Sequence, residues 1–230
     1  MQIQSIQLES VLTKKEVIPG LDVWFGSLIQ PNWIKRRLKE YLLYEEKERA
    51  KQFIDQKSRS RYIISRGLLR WIIGKYINDC PENIMFKYNP YGKPYLDEIH
   101  RTGISFNLSH SHDYLCIAIG SGKDIGIDVE FVRQLFNSIS VIDYIFTERE
   151  KQTFLTLEHS KQCEFFYEVW VRKEAFVKAI GKGLSYSLTS FDVLDLNIEI
   201  KAENGHLTVW EIKELNLDTN YKAAVCYRNI

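Results

Sequence analysis

The order of the predicted elements indicates an α+β protein made of two similar halves, each with helices packed on an antiparallel sheet. Helical patterns precede β-compatible runs up to residue 122, and the same order repeats from residue 123 onward. A weak similarity between the two halves supports the repeat, because a helical pattern precedes a Gly-Lys pair in both Arg66–Lys75 and Arg172–Lys182. We therefore expect one half over 1–122, a second over 123–230, and a binding site where they meet.

The first half is predicted to pass from helix to strands. Apolar residues at helical spacing predict a helix from Leu42 to Tyr76, with one break near Gln56. Asn-Pro and Gly-Lys-Pro then mark a turn at Asn89–Pro94. Two strands follow, at Gly103–Leu108 and Tyr114–Ile119.

The second half is predicted to begin with a strand at Gly126–Glu130. Helical patterns then cover Ser138–Leu157 and Cys163–Ile180. Four further β-compatible runs complete the half, and we expect strands at Phe191–Leu194, Ile198–Lys201, His206–Lys213 and Tyr221–Tyr227.

Composition limits the partners and the compartment. The chain has 31 Lys and Arg against 30 Asp and Glu, so no overall charge favours nucleic acid or an anionic membrane as a partner. It shows neither a run of roughly 18 apolar residues nor a basic and then apolar leader. Its four widely spaced cysteines suit neither a metal knuckle nor a disulfide framework, and we expect reduced, buried thiols. These features predict a cytoplasmic protein.

Two acids lie two residues apart in a predicted strand. Successive side chains of a strand face opposite sides, so Ile127 and Val129 share one face while Asp128 and Glu130 share the other. One interpretation is an amphipathic strand with a wetted face. The other is a Mg²⁺ site, because that ion prefers hard oxygen ligands and retains phosphate oxygens in its shell. The strand alone leaves both open.

The predicted helix Cys163–Ile180 offers a third carboxylate. Glu174 and Lys178 lie one turn apart on the flank of its apolar stripe. They form either an ordinary i,i+4 ion pair, or a metal ligand followed by a phosphate contact. Lys173 falls inside the apolar stripe, which the hydrophobic pattern does not explain beyond burial of its aliphatic stem.

Three motifs occur in order along the chain: FNLSHS at Phe106–Ser111, GIDVE at Gly126–Glu130 and WVRKEAFVK at Trp170–Lys178. Together they resemble the signature stretches of the Sfp-type 4′-phosphopantetheinyl transferases. The flanks resemble that family too, with YGKP at Tyr91–Pro94 and GKGLS at Gly181–Ser185. The similarity extends over roughly residues 42–191.

The resemblance implies a fold, ligands and residue roles. Members of this family have two α+β halves related by a pseudo-two-fold, with coenzyme A between them. By this resemblance Asp128, Glu130 and Glu174 hold Mg²⁺. Lys178 contacts the pyrophosphate, and His110 contacts a phosphate oxygen. Further residues would line the coenzyme A cleft or hold its phosphates: Arg49, Arg61, Lys93, Pro94 and Ser109.

The resemblance also implies the reaction. A serine hydroxyl of an acyl- or peptidyl-carrier protein would attack the β-phosphorus of coenzyme A and expel 3′,5′-ADP. Such a reaction needs positioning and positive charge near the phosphoryl oxygens, which Mg²⁺, Lys178 and His110 would supply. Glu174 would take the serine proton, directly or through a metal-bound water. Glu150 matches a recurring family acid and either orients a water molecule or is a solvated helix residue.

Two other functions stay open at this point. A Mg²⁺-dependent pyrophosphohydrolase would use the same three acids with water as its nucleophile. A non-catalytic coenzyme A binding protein would need the cleft alone. Substrate analysis, with a carrier protein present or absent, separates these functions.

Carrier recognition is expected at Val132–Ile145, where Phe131, Leu135 and Phe136 either meet a carrier helix or belong to the core. The doubled fold of the family implies a monomer. Two positions depart from the family pattern. His112 replaces a frequent glycine at a turn, and Glu46 stands where relatives carry a basic residue.

Overall fold

The computed structural model describes residues 8–122, 124–133, 139–201, 206–217 and 220–229. Its longer helices are α1 (Asn32–Glu40), α2 (Tyr44–Gln52), α3 (Gln56–Ile77), α4 (Ile139–Ile145), α5 (Glu148–Thr156) and α6 (His159–Ala179). Its strands are β1 (Thr13–Ile18), β2 (Leu21–Ser27), β3 (Phe86–Tyr88), β4 (Pro94–Leu96), β5 (Ile104–Ser111), β6 (Tyr114–Ser121), β7 (Ile125–Phe131), β8 (Asn197–Lys201), β9 (Leu207–Glu214) and β10 (Tyr221–Asn229).

Two four-stranded antiparallel sheets form the framework. The first has the order β1-β2-β6-β5 and the second the order β7-β10-β9-β8, while β3 and β4 form a separate hairpin. The strands β5 and β7 are therefore edge strands of different sheets. This arrangement confirms the predicted α+β fold of two halves.

Each sheet is covered by one long helix. Helix α3 packs its apolar residues, including Leu68 and Ile72, against Leu115 and Ile117 of the first sheet. Helix α6 packs Phe176 and its neighbours against the second sheet. A third apolar cluster joins the two halves, since side chains of β2 and β6 meet side chains of β7 and β10 there. Burial of this shared cluster holds the halves together.

The ends of the first-half helices follow local sequence signals. Asp55 caps α3, because its carboxylate accepts a hydrogen bond of 2.6 Å from the backbone N–H of Ser58. The helix ends at Asn78 in a left-handed conformation, with φ of 55°. The predicted helical segment is thus two helices separated by residues 53–55, just before the expected break. The hairpin of β1 and β2 was not predicted.

One predicted strand is wrong. Residues 191–194 contain no strand, although their composition is β-compatible. The Phe191 carbonyl accepts from the Lys173 ammonium, and the Val193 N–H donates to the Glu150 carboxylate. Buried side chains therefore form hydrogen bonds with backbone groups that a strand would need for pairing in a sheet.

No helix in the described part of the chain is both long and apolar enough to cross a bilayer.

Candidate active site

The first acid of the GIDVE motif lies in a buried cluster at the junction of the halves. Asp128 Oδ1 accepts a 2.7 Å hydrogen bond from the Ser109 hydroxyl of β5. The Lys178 ammonium of α6 lies 2.6 Å from the same oxygen and 3.1 Å from Ser109 Oγ. Asp128 is only 2% exposed. A wetted position is therefore excluded for Asp128, while Glu130 is partly exposed. The cluster draws on three separate elements.

Helix α6 reaches this cluster because β7 carries a glycine where they cross. A Cβ added to Gly126 would lie 2.1 Å from the Ala175 carbonyl oxygen and 2.3 Å from the Ala179 nitrogen. Only a residue without a side chain permits this approach. The close packing places Lys178 beside Asp128, so the lysine pairs across elements and the alternative i,i+4 pair with Glu174 is not formed.

Burial and like charges shift the acids of the site. Burial raises the pKa of Glu174 to about 7, and the carboxylates of Asp128 and Glu130 act in the same direction while Lys178 opposes them. Burial also raises the pKa of Glu130, and the Ser111 hydroxyl opposes that shift. The site therefore holds more negative charge than Lys178 compensates, as expected where a cation binds.

The donor set suits Mg²⁺ in its chemistry. Among the described residues, Asp128 Oδ2 and Glu174 Oε1 are buried carboxylate oxygens without a hydrogen-bond partner. Buried polar atoms normally have partners, so two such oxygens from different elements indicate a missing ligand. Hard carboxylate oxygens are what Mg²⁺ prefers. However, no group of three or more His, Cys, Asp or Glu side chains is assembled as a metal cluster in the described ranges. The assignment of Asp128, Glu130 and Glu174 to the metal stays a proposal.

A cavity of about 220 Å³ adjoins this cluster, with residues of both halves in its walls. The β3–β4 turn contributes Tyr91, Gly92, Lys93 and Pro94, and β5 contributes Asn107 and Leu108; the second half contributes Lys178, Gly181 and Gly183. A cavity at the junction of the halves is where the sequence predicts a ligand.

The Lys93 ammonium is committed to the junction. It donates to the carbonyls of Ile125 at 2.9 Å and Ala179 at 3.0 Å, which ties the first-half turn to β7 and to the end of α6. The Asn89 side-chain amide adds a 2.7 Å bond to the Gly181 carbonyl. The part of Lys93 that lines the cavity is therefore the part other than its ammonium. The ammonium group serves to hold the two halves together.

The other predicted phosphate contacts lie on the first half. His110 lies at the exposed end of β5. Partial loss of hydration lowers the pKa of its imidazole, and the positive charges of Lys178 and Arg61 lower it further. Arg61 binds Asp113 through Nε at 2.9 Å and Nη2 at 2.7 Å. Arg49 lies on α2, with its guanidinium 5.8 Å from the centre of the Tyr62 ring.

Glu46 faces inward rather than toward a ligand. Its two carboxylate oxygens bind Arg66 at 3.1 Å and Arg70 at 2.7 Å, and the side chain also caps α2 by accepting from the Leu43 N–H. An acid at this position is therefore part of the first-half core.

Both interpretations of Glu150 are wrong. Glu150 is fully buried and forms a 2.9 Å ion pair with Lys173, which is also fully buried. Its remaining capacity is taken by the N–H groups of Thr147 and Val193. A carboxylate engaged in this way cannot orient a catalytic water molecule. The pair does explain Lys173, whose position in the apolar stripe had no account from the sequence.

The prediction of buried thiols is half right. Cys116 and Cys226 are buried in strands, whereas Cys80 is exposed and Cys163 is partly exposed.

Of the expected carrier patch, Leu135 and Phe136 lie outside the described residues. Phe131 packs with its ring centre 4.9 Å from that of His112 and 5.2 Å from that of Tyr221. His112 has φ of 53°, which explains why a glycine suits this turn.

Sequence reasoning missed two site residues on β5. Asn107 Oδ1 accepts from the Ile127 N–H at 2.9 Å, and the Ser111 hydroxyl lies 2.5 Å from Glu130 Oε2. The alternation of polar residues at 107, 109 and 111 was the available signal, because residues two apart in a strand face the same side.

Two α+β halves with a cavity at their junction, beside Lys178 and buried carboxylate oxygens without partners, form a candidate enzyme site. The comparisons agree with this class. A family model described as the 4′-phosphopantetheinyl transferase superfamily matches residues 124–226, and one described as 4′-phosphopantetheinyl transferase, N-terminal, matches residues 32–121. The chain belongs to the 4′-phosphopantetheinyl transferase superfamily and is of its Sfp type.

Curated relatives resemble the chain over most of its length. The 4′-phosphopantetheinyl transferase HetI of Nostoc sp. is 32% identical over 88% of this chain and 85% of its own. The 4′-phosphopantetheinyl transferase Sfp of Bacillus subtilis is 30% identical over 83% of this chain and 84% of its own. The 4′-phosphopantetheinyl transferase gsp of Aneurinibacillus migulanus is 32% identical over 85% of this chain and 82% of its own.

Proposed function

We propose that the chain transfers the 4′-phosphopantetheine group from coenzyme A to a serine of an acyl- or peptidyl-carrier protein, and that Asp128, Glu130 and Glu174 hold the Mg²⁺ that assists it. The serine Oγ forms a bond to the β-phosphorus, the bond from that phosphorus to the bridging oxygen breaks, and 3′,5′-ADP leaves. Family membership supports the transfer. The unpartnered oxygens of Asp128 and Glu174 beside Lys178 are the observation that carries the metal assignment.

The chain's own residues account for binding and charge. Lys178 lines the junction cavity and carries its ammonium next to Asp128, so it is placed to meet a diphosphate. His110 and Arg61 would contact further phosphate oxygens at the first-half side of the site. A Mg²⁺ held by Asp128, Glu130 and Glu174 would supply further positive charge to stabilise the transition state.

Glu174 is the proposed acceptor of the serine proton. It is buried close to the charges of Asp128, Glu130 and Lys178. A carboxylate within reach of the attacking hydroxyl can act as its general base. Transfer of the proton to Glu174 completes the balance of the reaction, since 3′,5′-ADP leaves as an anion.

The lining of the junction cavity favours binding of a polyanionic substrate there rather than in the other cavity described below. A separate cavity of about 360 Å³ beside Lys222 is lined by Glu164, Glu168 and Glu214, whose negative charges disfavour coenzyme A. The junction cavity instead carries Lys178 and the backbone of glycine-rich turns.

Mass spectrometry of an apo carrier protein incubated with coenzyme A and Mg²⁺ tests the transfer. We expect a gain of about 340 Da, the mass of the transferred group. Lys178→Met should lower the rate roughly a hundred- to a thousand-fold, as loss of a key transition-state contact does. Lys161→Met, an exposed lysine of the same helix, is the matched control and should keep wild-type activity.

Two results would contradict this function. Release of 3′,5′-ADP without any carrier protein identifies a pyrophosphohydrolase. Unchanged carrier mass with several carriers, together with tight binding of coenzyme A, identifies a binding protein. Chelation of divalent ions tests the metal separately, since transfer at full rate in excess chelator rules out Mg²⁺.

We further propose that the protein acts in the cytoplasm as a monomer. All four cysteines are free thiols, including the exposed Cys80, which suits a reducing compartment. One chain supplies both walls of the junction cavity, so the site needs no second copy. Light scattering of the purified protein checks the oligomeric state.

A further inference from the structure

The two edge strands β5 and β7 meet through a polar seam of side chains. Asn107 Oδ1 accepts from the Ile127 N–H at 2.9 Å, and Ser111 Oγ accepts from the Phe131 N–H at 3.1 Å. Edge strands expose unpaired N–H groups, and these two side chains satisfy them. The seam therefore replaces a backbone ladder at these positions, where one half meets the other.

The direction of the Ser111 hydrogen bond to Glu130 follows from its other contact. A hydroxyl has one proton to donate, and Ser111 Oγ already accepts from the Phe131 N–H. A carboxylate only accepts when ionised, so the Ser111 proton points to Glu130 Oε2, 2.5 Å away. Ser111 is 8% exposed, which leaves little room for water to replace it.

The same arrangement occurs two residues earlier on each strand. Ser109 accepts from the Lys178 ammonium, which can only donate, and therefore gives its own proton to Asp128 Oδ1. Two hydroxyls on one face of β5 thus each hold one oxygen of two acids on one face of β7. For Asp128 the second oxygen has no described partner and is left for a ligand.

We propose that Ser111 is a positioning residue of the transfer reaction, whose hydroxyl holds Oε2 of Glu130 and so orients this carboxylate as a ligand for the divalent cation. The role rests on the proposed metal function of Glu130. Hydrogen bonds that orient a metal ligand are typically worth ten- to a hundred-fold in metal affinity. This role of Ser111 would also mean that the first half of the protein contributes to metal binding, although the acids belong to the second half.

Binding of Mn²⁺ to the full chain in the presence of coenzyme A, followed by the EPR signal of free Mn²⁺, tests this role without turnover. Ser111→Ala should weaken Mn²⁺ binding about ten- to a hundred-fold. Ser111→Thr keeps the hydroxyl and should restore binding to within a few-fold of wild type. Ser65→Ala removes another buried serine, whose hydroxyl donates to the Tyr62 carbonyl on α3, and should leave Mn²⁺ binding unchanged.

Kinetics give a second readout. The kcat of Ser111→Ala should be low at limiting Mg²⁺ and recover at high Mg²⁺, while KM for the carrier protein stays near the wild-type value. A residue that only caps a strand edge would lower the melting temperature without changing the Mg²⁺ dependence.

The outcomes separate the two levels of the argument. Wild-type Mn²⁺ affinity in Ser111→Ala, at any loss of thermal stability, overturns the positioning role and leaves the transfer function intact. Failure of the wild-type protein to bind Mn²⁺ with coenzyme A removes the metal site itself, and the role of Ser111 with it.

Discussion

The buried ion pair of Lys173 and Glu150 makes a strong prediction about stability. The Lys173 ammonium has three protons and three acceptors: Glu150 Oε2 at 2.9 Å, the Leu188 carbonyl at 2.7 Å and the Phe191 carbonyl at 2.6 Å. Lys173→Met has a similar length and no charge. It would leave a buried carboxylate without its cation, and two carbonyls without a donor.

The expected cost follows from these losses. Removing one partner of a buried ion pair typically costs about 3–5 kcal/mol in the free energy of unfolding. In proteins of this size, 1 kcal/mol lowers the melting temperature by about 2–4 °C. We therefore expect Lys173→Met to melt roughly 6–20 °C below wild type.

Thermal unfolding followed by circular dichroism, without coenzyme A so that ligand binding does not contribute, measures the effect. Lys151→Met is the matched control. Lys151 lies on α5 and pairs with Glu148 at 2.9 Å and Asp143 at 3.0 Å at the surface, so its loss should change the melting temperature little. Equal melting temperatures for both variants would refute the argument that Lys173 and Glu150 join α6 to the segment before β8.

Three further predictions follow from single positions. Gly126→Ala should lower the free energy of unfolding in urea by about 1–3 kcal/mol and reduce activity, because the new Cβ meets the α6 backbone. Gly120→Ala, whose new Cβ would have its nearest contact at 3.4 Å, should be tolerated. Equal losses of stability in the two variants would contradict this reasoning. Burial lowers the pKa of Lys93 to about 8 from 10.5, so the unfolded chain binds more protons between these values. The stability of wild type relative to Lys93→Met should therefore rise from pH 8 to pH 10.5; a flat difference would show an unshifted lysine. Cys80 should react rapidly with a thiol reagent in the native protein, whereas Cys116, whose pKa is raised by burial, should react only on unfolding; equal rates would disprove its burial.

The sequence predicted neighbours within one strand or helix, but not contacts between separate elements. Asp128 and Glu130 share a face of β7 as their spacing predicts, because strand geometry is local. Spacing also placed Glu174 and Lys178 together, but Lys178 binds Asp128 on another element. A one-turn spacing shows which side chains are neighbours on a helix, and it does not show what else approaches them.

Lys173 and Glu150 show the limit more clearly. The hydrophobic pattern marked Lys173 as misplaced, and the family resemblance made Glu150 either an acid that orients a water molecule or a solvated helix residue. Their ion pair joins α5 to α6. The same two side chains also bind backbone groups of residues 191–194, and these bonds prevent a strand there. Contacts of this kind depend on the packing of separate elements, which periodicity does not describe.

The amino-acid sequence by itself determined the class of the fold and the family, and it placed Asp128 and Glu130 on one strand, because hydrophobic periodicity and motif spacing act over a few residues. Tertiary structure alone decided which oxygens stay unpartnered, that Lys93 ties the halves together, and that Ser109 and Ser111 hold the acids of the opposite half. Those outcomes depend on how closely two sheets and a helix approach, and a single glycine at position 126 sets part of that distance.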